Sequence, residues 1–246
     1  MSIVRLARDV FCAEGTAVNW VLVRDGRELT LIDAGYPGDL ETLLASIAAI
    51  GHRPEDVRAA LVTHAHVDHV GGLNHLHEHF GTPALMHADE VPNATGERHE
   101  SATTADVLTR AWRPAVLRWS LAISRAGATQ PPFVAHAEPF PGEGPLDLPG
   151  GPVPVHLPGH TSGSTAYLLP EAGVVVTGDA LVTGHPLSNR SGPQLLPEFF
   201  DHDRPAARDS LQRLGRLEAD LVVPGHGLPW RGDLAAAAER AARLVP

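Results

Sequence analysis

The sequence predicts an α/β chain in which apolar strands end in turns carrying metal-capable side chains. Three observations lead there. The run Ala59-Ala60-Leu61-Val62 is followed at once by Thr63-His64-Ala65-His66-Val67-Asp68-His69 and then by Gly71-Gly72. Three later apolar runs end in the same way, with His160 after Leu157-Pro158-Gly159, Asp179 after Val176-Thr177-Gly178 and His226 after Val223-Pro224-Gly225. Strand and helix patterns also come in two similar runs, separated by a stretch of different character over residues 91–145.

Bulk properties narrow the function classes. A chain of 246 residues can form one large domain, and a single domain over 1–246 is expected. Hydrophobic content of 43% and charged content of 20% are ordinary for a soluble globular protein. A net charge of −10 with no basic arm argues against a nucleic-acid partner. No apolar run reaches the roughly 18 residues that span a membrane, and no leader is visible after Met1, so a cytoplasmic protein is expected. The one cysteine, Cys12, excludes an internal disulfide and fits a reducing compartment. Oligomeric state is not legible.

The chain then divides into elements. Residues 17–24 and 28–33 form a hairpin around Asp25-Gly26, a dipeptide suited to tight turns. Leu40, Leu43, Leu44, Ile47 and Ile50 recur at helical spacing, and Gly51 caps that helix. After the histidine-rich turn come a helix over 73–80 and a short strand over 83–87. Residues 101–126 are helical in pattern, interrupted by Pro114, and carry Trp112 and Trp119. The 91–145 stretch is therefore a helical insertion, either a lid that shapes a substrate pocket or a packing element. Strands resume over 153–157, 165–169, 174–177 and 221–223. Asp203 and Pro205 open a helix, and a terminal helix spans 233–244.

The strand ends supply seven ligand candidates: His64, His66, Asp68, His69, His160, Asp179 and His226. Glycine beside the later ones lets backbone approach a crowded centre. Five imidazoles and two carboxylates can serve two metals with one carboxylate between them. Zinc accepts this donor mixture, and iron and manganese are compatible with it. Asp33 is either a partner that orients a ligand histidine or a turn-capping aspartate. His75, His77 and His79 fall on different faces of their helix and are surface residues. His87, His136, His156, His185 and His202 lack the strand-glycine-ligand context. Arg190 is a candidate for binding an anionic group of a substrate.

Taken together, Thr63 to Gly72, Pro158-Gly159-His160-Thr161-Ser162-Gly163-Ser164, Gly178-Asp179 and Pro224-Gly225-His226-Gly227 resemble the metallo-β-lactamase-fold hydrolases, the glyoxalase II-like superfamily. The resemblance implies a four-layer αββα sandwich with two divalent metals, zinc being expected, at one edge between its sheets. It implies that His64, His66 and His160 bind one metal, that Asp68, His69 and His226 bind the other, and that Asp179 bridges them. It also implies hydrolysis by a bridging hydroxide, with Asp68 orienting the nucleophile or shuttling a proton.

Departures from family patterns narrow the substrate. Exported β-lactamases generally lack the bridging aspartate that Asp179 supplies. The glutathione-binding C-terminal region of glyoxalase II has no counterpart in the twenty residues after His226. The tyrosine that quorum-signal lactonases carry after the bridging aspartate is absent from Ala180-Leu181-Val182. The expected activity is hydrolysis of a lactone or thioester of a small metabolite, with Trp112, Trp119 and Arg190 as substrate contacts. A phosphodiesterase, a mononuclear iron dioxygenase acting on sulfur, and a non-catalytic metal-binding module are the alternatives.

Overall fold

The computed structural model describes residues 2–102, 109–110, 112–131, 133–142 and 144–244. Its first sheet takes seven strands in sequence order: β1 (Ser2–Ala7), β2 (Val10–Glu14), β3 (Asn19–Asp25), β4 (Glu28–Ile32), β5 (Val57–Leu61), β6 (Ala84–Met86) and β7 (Ala137–Pro139). Strands β1 to β4 are antiparallel neighbours. From β4 onward the pairs are parallel, so each needs a crossover. Helix α1 (Leu40–Ala49) links β4 to β5, and α2 (Val67–Val70) with α3 (Leu73–Phe80) links β5 to β6. Helices α4 (Val91–Ala94) and α5 (Pro114–Arg125) lie between β6 and β7.

The second sheet contains β8 (Val153–His156), β9 (Thr165–Leu169), β10 (Val174–Gly178), β13 (Leu221–Pro224) and β14 (Trp230–Arg231), in the order β14-β13-β10-β9-β8. A small ribbon of β11 (Val182–Gly184) and β12 (Ser191–Gln194) follows β10. Helices α6 (Arg204–Leu214) and α7 (Leu234–Arg243) cover this half.

Side-chain alternation explains why the sheets stack. Val21, Val23, Ile32 and Leu61 point from the first sheet to Tyr167, Leu169, Val174, Val176 and Val223 of the second. The intervening residues point outward. Leu22, Leu29 and Leu31 meet Leu43, Ile47, Leu73 and Leu76 of the helices, and Val175 and Val222 meet Leu211, Leu214 and Leu234. Helix, sheet, sheet and helix layers result, because each sheet has two apolar faces to bury. The expected αββα sandwich is the observed architecture.

Three local readings change. Residues 2–14, to which the sequence pattern assigns no element, form the hairpin of β1 and β2. The 91–145 stretch is not wholly helical, since β7 extends the first sheet alongside β6. Pro114 starts α5 rather than interrupting a helix, occupying its first turn where the missing N–H has no partner to lose. Residues 103–108 and 111 of the expected 101–126 helix lie outside the described residues. No helix among the described residues is long and apolar enough to cross a membrane.

Candidate metal centre

Each site residue sits just past the end of a strand, where the hydrogen-bonded ladder stops and side chains project beyond the sheet. Strand β4 ends before Asp33, β5 before the heptad, β8 before His160, β10 at Gly178 and β13 before His226. The structure brings all seven sequence-predicted candidates together. His64, His66 and His160 form one group whose ligand-type atoms lie within 4.8 Å of one another; Asp68, His69 and His226 form a second. Asp179 stands between them. Its Oδ2 lies 4.0 Å from His64 Nε2, 3.6 Å from His160 Nε2 and 3.2 Å from His226 Nε2, and its Oδ1 lies 3.7 Å from His69 Nε2.

Four of the five outward nitrogens have hydrogen-bond partners. His64 Nδ1–H donates to Thr63 Oγ1 (3.1 Å), His66 Nε2–H to the Glu100 carbonyl (2.7 Å), His69 Nδ1–H to Asp33 Oδ2 (2.8 Å) and His226 Nδ1–H to the Ala17 carbonyl (2.6 Å). His160 Nδ1 faces Asp201 Oδ1 at 3.5 Å but makes no hydrogen bond. In a neutral ring, each of these four bonds places the hydrogen on the outward nitrogen and leaves the inward one free to accept a cation. Two inward nitrogens, His64 Nε2 and His69 Nε2, and Asp179 Oδ1 are buried without any hydrogen-bond partner. Buried polar atoms are rarely left so, and a cation would satisfy all three.

The spacing also fits. His66 Nδ1 and His160 Nε2 are 3.1 Å apart, close to the ~3.3 Å that two ligands at 2.0–2.1 Å from a tetrahedral ion would show.

Charge follows the same division. Burial, reinforced by the neighbouring histidines, holds His64 well below its usual value and His66 down at about 4. Burial opposes charge on His69 too, but Asp33, Asp68 and Asp179 outweigh it and raise that imidazole to about 9. His226 is likewise raised, burial being overcome by Asp179 and Asp68. Burial opposes ionisation of Asp68 and Asp179, yet the adjacent histidines, His69 and His226 foremost, keep both carboxylates below their ordinary range. The cluster thus holds two ionised carboxylates that draw positive charge to the His69 and His226 imidazoles beside them, charge that a divalent ion would supply in place of those protons.

Backbone geometry supports the crowding. A Cβ on Gly225 would fall 2.3 Å from Asp179 Oδ1 and 2.8 Å from His69 Cε1, so only glycine fits there. Among the described residues, two non-glycine positions have positive φ, Ala17 at 60° and Asp33 at 63°. Each holds the outward nitrogen of a histidine in the second group, through the Ala17 carbonyl and the Asp33 carboxylate.

Several contributors escaped the sequence reading. Glu90, fully buried, accepts from Ala65 N–H (2.7 Å), Thr161 Oγ1–H (2.7 Å) and Gly163 N–H (3.0 Å), tying the heptad to the His160 turn. Glu100 accepts from Ser162 N–H and Oγ–H, both at 2.6 Å. Nothing local in the sequence marks either carboxylate. Tyr36 and His185 line a cavity of about 300 Å³ that opens onto the cluster. For His185 a signal existed: Val182-Thr183-Gly184-His185 repeats the strand-glycine-histidine pattern that the sequence reading found lacking there.

Other expectations resolve differently. Trp119 lines the cavity, whereas Trp112 does not and is 81% exposed, at the entrance to α5. Arg190 also lies outside the cavity lining and donates to the Leu244 carbonyl at the surface. His75 and His79 do not fall on different faces: their rings stack at 4.0 Å, as i and i+4 positions of one helix should. Asp33 both caps and orients, accepting from Thr63 N–H (2.8 Å) as well as from His69.

Sequence comparison agrees with this geometry. Residues 13–226 match the metallo-beta-lactamase superfamily, and the chain belongs to that family. It is 26% identical over 220 residues to the "Probable metallo-hydrolase YflN" of Bacillus subtilis (strain 168), covering 86% of this chain and 80% of that protein. A hydroxyacylglutathione hydrolase of Xanthomonas campestris pv. campestris (strain B100) is 29% identical over 208 residues, which are 84% of this chain but only 59% of that protein. Among solved structures, a metallo-beta-lactamase family protein from Thermus thermophilus superposes with a TM-score of 0.65 at 26% identity, covering 92% of this chain and 73% of that one. The Rm3 metallo-beta-lactamase shares the fold, with a TM-score of 0.70 at 18% identity over 99% of this chain and 92% of that one. The chain is thus a metallo-hydrolase by family.

Proposed function

We propose that this protein is a dinuclear hydrolase, using two divalent ions, zinc by preference, to cleave a lactone or thioester of a small metabolite. The observation that carries the reading is the position of Asp179, within 4.0 Å of histidines from both groups. His64, His66 and His160 would hold one ion; Asp68, His69 and His226 would hold the other; Asp179 would serve both. Bound ions supply Lewis acidity, which polarises a carbonyl and makes water more acidic. Asp68 is the group placed to accept and pass on a proton, since its Oδ2 lies 3.4 Å from His226 Nε2 at the cavity wall.

The cavity favours a neutral acyl substrate over a phosphodiester. None of its lining residues among those described is arginine, and the chain has no lysine. Residues 103–108 carry no basic side chain either. Phosphodiester and glutathione-type substrates bring anionic groups that basic side chains normally meet. Val67, Trp119, Ile123, Leu196 and Phe200 supply apolar walls instead. The complete second group supports two ions over a mononuclear iron centre.

Elemental analysis of the purified protein, followed by a panel of lactones, thioesters and phosphodiesters, tests the reading. Two zinc ions per chain with lactone or thioester turnover is the expected result. One iron per chain with thiol-dependent oxygen uptake would replace the hydrolase with the oxygenase.

A further inference from the structure

We propose that His185 is a substrate-contacting hydrogen-bond donor, offering its Nε2–H to the acyl oxygen that becomes negative as the ester-type bond is cleaved. The inference rests on the hydrolase reading above and adds a residue outside the ligand set.

His185 is buried, immediately after β11, and lines the cavity. Its ring stands edge-on to three others, with centroids 5.2 Å from His226, 5.1 Å from Trp119 and 5.3 Å from Phe200. Packing on these sides fixes the ring plane. Its Nδ1 accepts from Leu187 N–H at 3.2 Å. A neutral imidazole whose Nδ1 lone pair is used in this way carries its hydrogen on Nε2. That hydrogen has no hydrogen-bond acceptor among the described residues, and Nε2 is not among the buried orphaned atoms. The donor is therefore left to whatever enters the cavity.

His185 is not an eighth ligand. Among the described residues it belongs to none of the ligand-type groups whose atoms lie within 4.8 Å of one another, and it makes no ion pair with Asp68 or Asp179. It stands beside His226, on the substrate side of the second group. A fixed neutral donor in that place suits charge that develops during reaction, because it needs no reorganisation when the charge appears.

The balance is that of simple hydrolysis. Water oxygen bonds to the acyl carbon. The bond from that carbon to the leaving oxygen or sulfur breaks. One water hydrogen ends on the leaving group, and the other is released from the carboxylic acid. His185 gives a hydrogen bond and transfers no proton.

The test compares His185→Phe, which keeps an aromatic ring without the donor, with His185→Gln, whose amide N–H reaches about the same point. The zinc-loaded proteins are assayed with γ-decalactone and S-phenyl thioacetate. Binding of hexanoate, a product-like carboxylate, is measured by calorimetry. His185→Phe should lower kcat by about 10²–10³-fold, with KM within threefold, and weaken hexanoate binding at least tenfold. His185→Gln should stay within tenfold of wild type in kcat, and zinc content should be equal in all three. Equal kcat in wild type and His185→Phe overturns the proposal, as does equal loss in both variants. Loss of zinc in His185→Phe overturns it in favour of a role in holding the ligands. If wild type turns over neither probe, the hydrolase reading fails. Hexanoate then still decides His185, because equal affinity of wild type and His185→Phe removes the donor.

Discussion

His69 Nδ1–H donates to Asp33 Oδ2 at 2.8 Å, which turns the other ring nitrogen toward Asp179. The same carboxylate accepts the Thr63 N–H and hydroxyl, each at 2.8 Å. One side chain thus anchors the start of the heptad and aims its last histidine. Replacing Asp33 by Asn keeps the shape and removes the charge. Affinity for zinc should fall about 10–100-fold, the usual effect of losing such a partner, as read by competition with a chromogenic chelator. Unchanged affinity would show that the imidazole is held by packing alone.

Asp179→Ala should remove at least one metal ion per chain and nearly all hydrolytic activity, because both groups lose their shared carboxylate. Elemental analysis reads the first effect directly, and full metal content in the variant rules out the bridging role. Gly225→Ala gives an independent check from the backbone side. Its methyl would overlap Asp179 Oδ1, so metal content should fall although no ligand has been changed.

Glu90→Ala should destabilise the fold by about 2–4 kcal/mol, since it strands the buried Ala65 and Gly163 N–H groups and removes the Thr161 hydroxyl bond. Urea unfolding monitored by tryptophan fluorescence measures this. A change below about 0.5 kcal/mol would mean that the two ligand turns are held together by other contacts.

Trp119→Ala should alter kcat/KM between short-chain and long-chain acyl substrates, because the ring forms part of the cavity wall. Trp112→Ala should leave that ratio unchanged, its ring being outside the cavity lining. Steady-state kinetics on a homologous lactone series separates the two residues.

The thiol of Cys12 should be silent in the native protein. Burial, with Glu14 adding repulsion, pushes it up to about 12. Only the thiolate reacts, and it forms as pH rises through that value, so almost none exists between pH 7 and 9. An aromatic disulfide reagent should detect no thiol in the native protein and one after denaturation. A rapid native reaction would place Cys12 at the surface.

The sequence showed the site more fully than its surroundings. Ligand candidates at strand ends carry their own local signature, an apolar run closed by a glycine turn, and all seven were found that way. Asp33 was visible for the same reason. Glu90 and Glu100 were not, because what makes them matter is contact across 62 to 73 positions of chain with Ser162, Thr161 and Gly163. Trp112 and Trp119 are indistinguishable by residue type, and the start of α5 at Pro114 separates their surroundings. Edge strand β7 has only three residues and no strong apolar pattern, so pairing with β6 alone reveals it.

Each ligand-type group draws members from both halves of the chain. His64 and His66 follow a strand of the first sheet and His160 one of the second; Asp68 and His69 belong with the first and His226 with the second. Neither sheet alone presents a complete donor set. During synthesis, a chain that has emerged only as far as the first sheet has no place to seat an ion tightly, and the second group is complete only once β13 has docked. Loading would then act as a late checkpoint that welds the two sheets together, and a cation captured early on half a site would be free to leave.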